Sequence, residues 1–149
     1  MHRANRDVVR LLEREFIVQA PIEEAWRHLA NVEDWTSWAH HIRAVQLQPK
    51  GALTETTVGR FHLTNGVRST FRVTEYRPPL GWTWQGPFLW LLVDYEHRFE
   101  AVAADRTRMV WSVACEGFGA SILGRLFALI YNRNLDKAIP RLQDELANK

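Results

Sequence analysis

Residues 91–117 read LLVDYEHRFEAVAADRTRMVWSVACEG, and they contain two runs in which apolar residues alternate with charged or polar ones. Alternation with a period of two is typical of a β-strand with one buried face, and two such runs joined by a short polar turn predict an antiparallel hairpin. Val93, Tyr95 and His97 share one face of the first run, and charged residues share the other. We expect the charged face to meet water, so that Tyr95 and His97 point toward the apolar side of the sheet.

The same alternation recurs in the part of the chain that precedes this hairpin. The pair Asn65 and Gly66 lies between two alternating runs and is a strong signal for a tight hairpin turn. Further along, Gly86 and Pro87 are expected to form another turn, before the apolar run that begins at Phe88. We therefore predict four further strands, which cover residues 42–49, 57–66, 67–79 and 80–86.

One more strand and two helices complete the pattern. Residues 8–19 are predicted to form a strand, although their first half is also compatible with a helix. A helix is expected to begin at Pro21, because proline suits the first turn and acidic residues follow it. The last segment, residues 119–149, has apolar residues at helical spacing. The expected inward stripe of this long helix is Leu123, Phe127, Ile130, Leu135, Ile139, Leu142 and Leu146.

The order of elements is therefore a strand, a short helix, six strands and a long helix, with an irregular or short helical connection after the first helix. This order predicts an α+β domain with one curved antiparallel sheet around the terminal helix. At 149 residues the chain is long enough for one domain with a core of its own.

Composition argues against several classes of function. The formal net charge is +2, from 19 basic and 17 acidic residues, and the arginines are spread along the chain, so we expect no nucleic-acid partner. Cys115 is the only cysteine, which leaves no internal disulfide and no cysteine-rich zinc site. No apolar run reaches the roughly 18 residues of a membrane-spanning helix. The N-terminus has no signal-peptide pattern, and we expect a cytoplasmic protein.

Several strings in a fixed order resemble a known superfamily. They are VQAPIEEAWRHLANVEDWTSW, VGRF, FRVTEYRPPLGWTW and HRFEAVAADRTRMVWSVACEG, followed by the long amphipathic helix. Together they resemble the START-like or SRPBCC superfamily, and within it the polyketide cyclase/dehydrase branch. The resemblance runs from about Val8 to Leu146 and implies a single START-like domain over residues 1–149.

This resemblance implies a helix-grip fold, in which a seven-stranded curved antiparallel sheet surrounds a long C-terminal helix and leaves an internal cavity. Members of the superfamily bind sterols, lipids, polyketides, plant hormones or aromatic rings. Some of them cyclise or dehydrate the ligand, and others carry it or pass it to a partner. The fold by itself does not decide among these functions.

Tyr95 and His97 are the candidates for catalysis. A tyrosine and a histidine two residues apart on an inward face could orient a ligand carbonyl or transfer a proton, and the alternative is that both are packed structural residues. His40 lies near the cavity entrance by resemblance, where many relatives have a proline. His40 and His41 have no carboxylate motif beside them, so we expect no metal site. The aromatic candidates, for ligand contact or equally for core filling, are Trp38, Phe71, Trp84, Phe88, Trp90, Trp111 and Phe127.

We expect the chain to bind a small hydrophobic or aromatic ligand, such as a lipid, a quinone or a polyketide-like molecule, without a cofactor. Two alternatives remain open at this point. One is a cyclase or dehydratase that uses Tyr95 and His97, and the other is a protein-partner module of the quinone-handling or ribosome-directed kind. The hairpin between the fifth and sixth strands contains Phe88, Leu89 and Trp90, and the strands alone cannot bury all three side chains. We therefore predict that they form an apolar lip, either over the cavity mouth or against a second copy in a homodimer.

Overall fold

The computed structural model describes residues 8–117 and 119–148. The expected absence of a signal peptide rests partly on residues 1–7, which lie outside the described residues. Every predicted strand is present, and β1 is a strand throughout, so the helical alternative for its first half is wrong. The elements are β1 (Val8–Val18), α1 (Ile22–Ala30), a 3₁₀ helix (Val32–Ser37), β2 (Ile42–Gln48), β3 (Val58–Leu63), β4 (Arg68–Arg77), β5 (Gly81–Phe88), β6 (Leu91–Ala103), β7 (Arg106–Glu116) and α2 (Ala120–Ala147).

The strands form one antiparallel sheet in the order β1-β7-β6-β5-β4-β3-β2. The first strand, β1, therefore pairs with the last, β7. All other neighbours in the sheet are strands that follow one another in sequence. Consecutive strands pair readily because the connections between them are short. The predicted α+β helix-grip architecture, a seven-stranded curved antiparallel sheet with a long C-terminal helix, is confirmed.

The inner face of the sheet carries rows of side chains from neighbouring strands. Trp82 of β5 lies opposite His97 of β6, and His97 lies opposite Trp111 of β7. In the next row, Trp84 lies opposite Tyr95. Because side chains two residues apart share a face, these rows confirm that Tyr95 and His97 point inward.

α2 packs mainly on β1, with β7 beside it. The second half of its predicted stripe, from Leu135 to Leu146, is buried as expected. Ile130 is 57% exposed, which corrects the predicted stripe. Tyr131 points inward in its place, because it follows Phe127 by about one helical turn, and the two rings stack with centroids 5.6 Å apart.

The turn between β5 and β6 lies three residues later than predicted. β5 continues to Phe88, and the two residues after it, Leu89 and Trp90, form the turn. Leu89 has a positive φ of 56°, as tight hairpin turns require. Gly86 lies within the strand, where a side chain would collide with the backbone carbonyl of Thr70 on β4. Glycine is common in turns, but at this position it permits the close approach of two strands, so the predicted turn at Gly86 and Pro87 is wrong.

Candidate ligand-binding site

Three buried rings form a row across the middle of the inner face. Trp82, His97 and Trp111 are 2%, 4% and 5% exposed. The Trp82 and His97 rings are stacked with centroids 4.4 Å apart, and the Trp111 ring lies edge-on to His97 at 5.8 Å. Cross-strand register brings these side chains together, since their three strands are direct neighbours in the sheet.

Each ring of this row has a buried nitrogen without a hydrogen-bond partner. The atoms are Nε1 of Trp82, Nδ1 of His97 and Nε1 of Trp111. The neighbouring Trp35 differs, because its Nε1 donates a hydrogen bond of 2.8 Å to the carbonyl of Leu29. A buried polar group without a partner costs about 1–3 kcal/mol, and native proteins satisfy nearly all such groups. The row is therefore suited to receive a polar atom from another molecule.

Burial sets the protonation state of the two candidate acid–base residues. It lowers the pKa of His97 from 6.5 to about 3, and hydrogen bonding with the backbone at Trp82 and Tyr95 opposes this with a smaller effect. The imidazole is therefore neutral near neutral pH. Burial also raises the pKa of Tyr95 above the usual range of tyrosine, with a smaller contribution from Tyr131. Proton transfer between a side chain and a ligand is most effective when the pKa of the side chain is near the working pH. The pKa values of His97 and Tyr95 both lie far from neutral pH.

The 3₁₀ helix places two tryptophans over the row. Trp35 and Trp38 are three residues apart, which is one turn of a 3₁₀ helix, and both are buried. The Trp35 ring lies 6.0 Å from His97 and the Trp38 ring lies 6.0 Å from Trp111, measured between centroids. Both tryptophan rings therefore lie against the row on its inner side.

A second aromatic group lies between the sheet and the first half of α2. Tyr95 approaches Tyr131 at 5.7 Å, and Phe88 approaches Phe127 at 4.7 Å. All four residues are half-buried, although they point inward. This partial exposure shows that the group lies at the edge of the interior, where solvent reaches its rings. The sequence pattern missed Tyr131, which its spacing of four residues from Phe127 could have indicated.

The remaining predicted site residues divide between the core and the surface. Phe71 and Trp84 are buried with ring centroids 4.2 Å apart, and they extend the aromatic core. Trp90 is 65% exposed in the β5–β6 turn. His40 is also exposed, and its Nε2 lies 3.1 Å from the carbonyl of Ser37. The structure therefore brings neither Trp90 nor His40 into the interior group.

Arg14 is an inward-facing charge that the sequence pattern did not single out. It lies opposite Trp111 in the register of β1 and β7. Its guanidinium donates hydrogen bonds to Oδ1 of Asn132 at 2.7 Å and to Oδ1 of Asp136 at 2.8 Å. Both partners lie on α2, so this residue ties the helix to the sheet beside the row.

Two surface pockets lie on the outward face of the sheet. One has a volume of about 410 Å³ and is lined by residues such as Glu96 and Ser112. The other has a volume of about 610 Å³ and is lined by residues such as Glu100 and Arg108. Neither lining includes the ring row or Tyr95. Neither pocket therefore coincides with the candidate site, which is the row of unpartnered nitrogens on the inner face of the sheet.

Solved structures share this fold at low sequence identity. A hypothetical protein from Helicobacter pylori has a TM-score of 0.75 and 18% identity, over 94% of this chain and 88% of that chain. Ara h 8.0201 has a TM-score of 0.73 and 12% identity, over 97% of this chain and 100% of that chain. The Zhui aromatase/cyclase from Streptomyces has a TM-score of 0.68 and 17% identity, over 96% and 94%. At such identities these likenesses establish the fold.

One protein family matches nearly the whole chain, although no individual curated sequence does. The model of the family described as polyketide cyclase / dehydrase and lipid transport matches residues 10–147, from β1 to the end of α2. The chain therefore belongs to the polyketide cyclase/dehydrase and lipid transport family.

Proposed function

We propose that the chain binds a small apolar or aromatic molecule with a hydrogen-bond-accepting oxygen, in the interior between the sheet and α2. The observation that carries this proposal is the row of three buried ring nitrogens without partners, on Trp82, His97 and Trp111. Lipids, quinones and polyketide-like molecules all combine an apolar body with such an oxygen. Membership of the family supports this class of ligand.

The ring row suits the polar part of such a ligand. An indole nitrogen only donates hydrogen bonds, and a neutral imidazole donates from one of its two nitrogens. A carbonyl or hydroxyl oxygen near the row can therefore accept from Trp82, from Trp111 or from His97. An ordered water can satisfy the same atoms in the unliganded protein. A ligand oxygen that replaces this water restores the hydrogen bonds and adds the burial of apolar surface.

The half-buried aromatic group suits the apolar part of the ligand. Tyr95, Phe127 and Tyr131 present ring faces within 6.4 Å of one another, on which a flat molecule can stack. Burial of about 300 Å² of apolar ligand surface contributes on the order of 7 kcal/mol before the entropy losses of binding. This contribution supports affinity without any chemical step.

The protonation states favour binding over the cyclase or dehydratase alternative. His97 is a weak base, because burial lowers its pKa to about 3. Tyr95 is a weak acid, because burial raises its pKa. General acid–base catalysis works best when the pKa lies near the working pH. We therefore interpret both residues as partners in hydrogen bonding and packing.

Isothermal titration calorimetry with two matched probes tests the proposal. Acetylnaphthalene carries a carbonyl oxygen, whereas ethylnaphthalene has nearly the same shape and carries none. We expect the ketone to bind up to about tenfold more tightly, since the net contribution of a hydrogen bond is roughly 0.5–1.5 kcal/mol. Trp111→Phe removes one donor from the row and should reduce this advantage.

Trp84→Phe is the matched control, because it removes an indole from the neighbouring row and should leave the advantage of the ketone unchanged. Equal affinities for the two probes would contradict the role of the row. Failure of both probes to bind would contradict ligand binding in the interior. Chemical conversion of the ketone during incubation, detected by mass spectrometry, would favour the enzyme alternative.

A further inference from the structure

The first half of α2 is apolar on the side that faces away from the sheet as well as on the side that faces it. Phe127 and Tyr131 point inward, yet Ile122, Leu126, Leu129 and Ile130 are between 54% and 81% exposed. A helix that is apolar all round is normally buried in a protein core or in a membrane. The outward side of this segment therefore lacks the polar cover that an ordinary surface helix has.

The β5–β6 turn extends the exposed apolar surface at the same end of the molecule. Leu89 and Trp90 are 66% and 65% exposed. The turn lies beside the start of α2, because the rings of Phe88 and Phe127 are 4.7 Å apart. We define the apolar patch as Leu89, Trp90, Ile122, Leu126, Leu129 and Ile130. Exposed apolar surfaces of this kind mark interaction sites with other proteins or with membranes.

The charged side chains in the first half of α2 have one sign. Residues 117–135 contain Arg125 and Arg133 and no aspartate or glutamate. Both arginines are exposed. No helix in the described part of the chain is long and apolar enough to cross a bilayer. Apolar side chains flanked by arginine and accompanied by a tryptophan are typical of helices that lie in the surface of a membrane.

We propose that the apolar patch docks on the surface of a bilayer that contains anionic lipids, with the first half of α2 lying in the plane of the interface. The apolar side chains enter the boundary of the acyl chains, and Trp90 lies at the level of the headgroups. Arg125 and Arg133 meet the negative headgroups. A two-fold dimer through the same patch would instead bring the arginines of both copies together without acidic partners from this segment. The patch is distinct from the ring row, so the inference does not depend on the interior ligand.

Vesicle flotation with the full chain tests this inference. We expect binding to vesicles of phosphatidylcholine with phosphatidylglycerol, much weaker binding to phosphatidylcholine alone, and loss of binding as salt is raised. The double variant Ile122→Ser and Leu126→Ser should lower partitioning by at least about tenfold, because it removes two large apolar side chains. Arg125→Gln and Arg133→Gln should each lower it about fivefold on the anionic vesicles only.

The matched control is the double variant Leu80→Ser and Val67→Ser, which changes two side chains that are 60% and 50% exposed at other turns. This variant should bind vesicles as the unmodified chain does. No binding by the unmodified chain, or equal binding by the patch and control variants, would overturn the inference. Sedimentation velocity supplies the last outcome: a dimer that the patch variants convert to a monomer would assign the patch to a second copy of the chain instead.

Discussion

His97 is a residue whose orientation could be predicted and whose surroundings could not. Alternation along β6 indicates its inward direction, because the strand period belongs to the backbone. Its stacking on Trp82 and its position beside Trp111 depend on the register of three strands. The missing partner of Nδ1 and the lowered pKa follow from that register, so strand parity alone could not reveal them.

Stability should depend on pH through His97. The unfolded chain takes up a proton at the ordinary pKa of 6.5, whereas the folded chain resists it until about 3. The unfolded state therefore binds more protons in this window, and the free energy of unfolding falls as the pH is lowered, by at most about 1.4 kcal/mol per pH unit from this group. Urea unfolding at a series of pH values should show a shallower fall for His97→Phe.

His40→Phe is the control for this measurement, because His40 is exposed. It should retain the pH dependence of the unmodified chain. If the curve of His97→Phe has the same slope as that of the unmodified chain between these pH values, then His97 is not the buried neutral imidazole described above.

At the scale of elements, α2 is attached to the sheet in two different ways. Its second half carries polar ties, among them the ion pair of Arg14 with Asp136 at 2.8 Å and a hydrogen bond of 2.9 Å from Gln143 to the carbonyl of Ile17. Its first half approaches the sheet mainly through small and apolar residues, with Gly124 close to Cys115. The polar tie in this half is near its end, where Asn132 accepts a hydrogen bond from Arg14. Because these polar ties begin at Asn132, we predict that the turns of α2 before it separate from the sheet when a ligand enters.

The ion pair of Arg14 with Asp136 should contribute measurably to this attachment. A double-mutant cycle with Arg14→Met and Asp136→Asn should give a coupling of about 0.5–1 kcal/mol in urea unfolding, at the upper end for surface pairs because Arg14 is partly buried. The pair of Arg10 with Glu13 is the control, since both side chains are well exposed. Its coupling should be near zero, and equal couplings for the two pairs would show that burial of Arg14 adds nothing.

At the scale of the whole molecule, the β5–β6 turn and α2 meet where an apolar lip was predicted. Phe88 turns inward onto Phe127, while Leu89 and Trp90 remain exposed. Of the three residues in the predicted lip, Phe88 therefore packs against α2, and Leu89 and Trp90 face solvent. Whether it opens for a ligand remains a prediction, and the contact between the two phenylalanines is the part of it that can be tested.

Phe88→Ala should accelerate exchange of the ligand. Removal of the ring opens the boundary between the turn and α2, so the association and dissociation rates of acetylnaphthalene should both rise several-fold while the affinity changes less. Stopped-flow tryptophan fluorescence measures both rates. Leu80→Ala, a truncation at an exposed turn, should leave them unchanged. Rates unaffected by Phe88→Ala would show that the ligand enters elsewhere.

Local sequence patterns determined the elements of this protein and the faces of its strands. Periods of two and of about four residues belong to the backbone geometry of single elements, so they correctly predict that Tyr95 faces inward and that Leu142 is buried. The sequence pattern gave wrong predictions at two positions, where the same residue type is compatible with two structural roles. Gly86 predicts a turn by its residue type, yet it lies in β5 and allows two strands to approach. Helical spacing predicts a buried Ile130, whereas Ile130 is exposed and Tyr131 points inward.

Only the tertiary structure decided which residues form the candidate site. The ring row requires register among β5, β6 and β7, and the position of Arg14 beside it requires the pairing of the first strand with the last. The exposed apolar side of α2 became apparent only once its packing side was known. These features depend on contacts between segments far apart in sequence. Such contacts arise from the packing of the whole chain, which local periodicity does not encode.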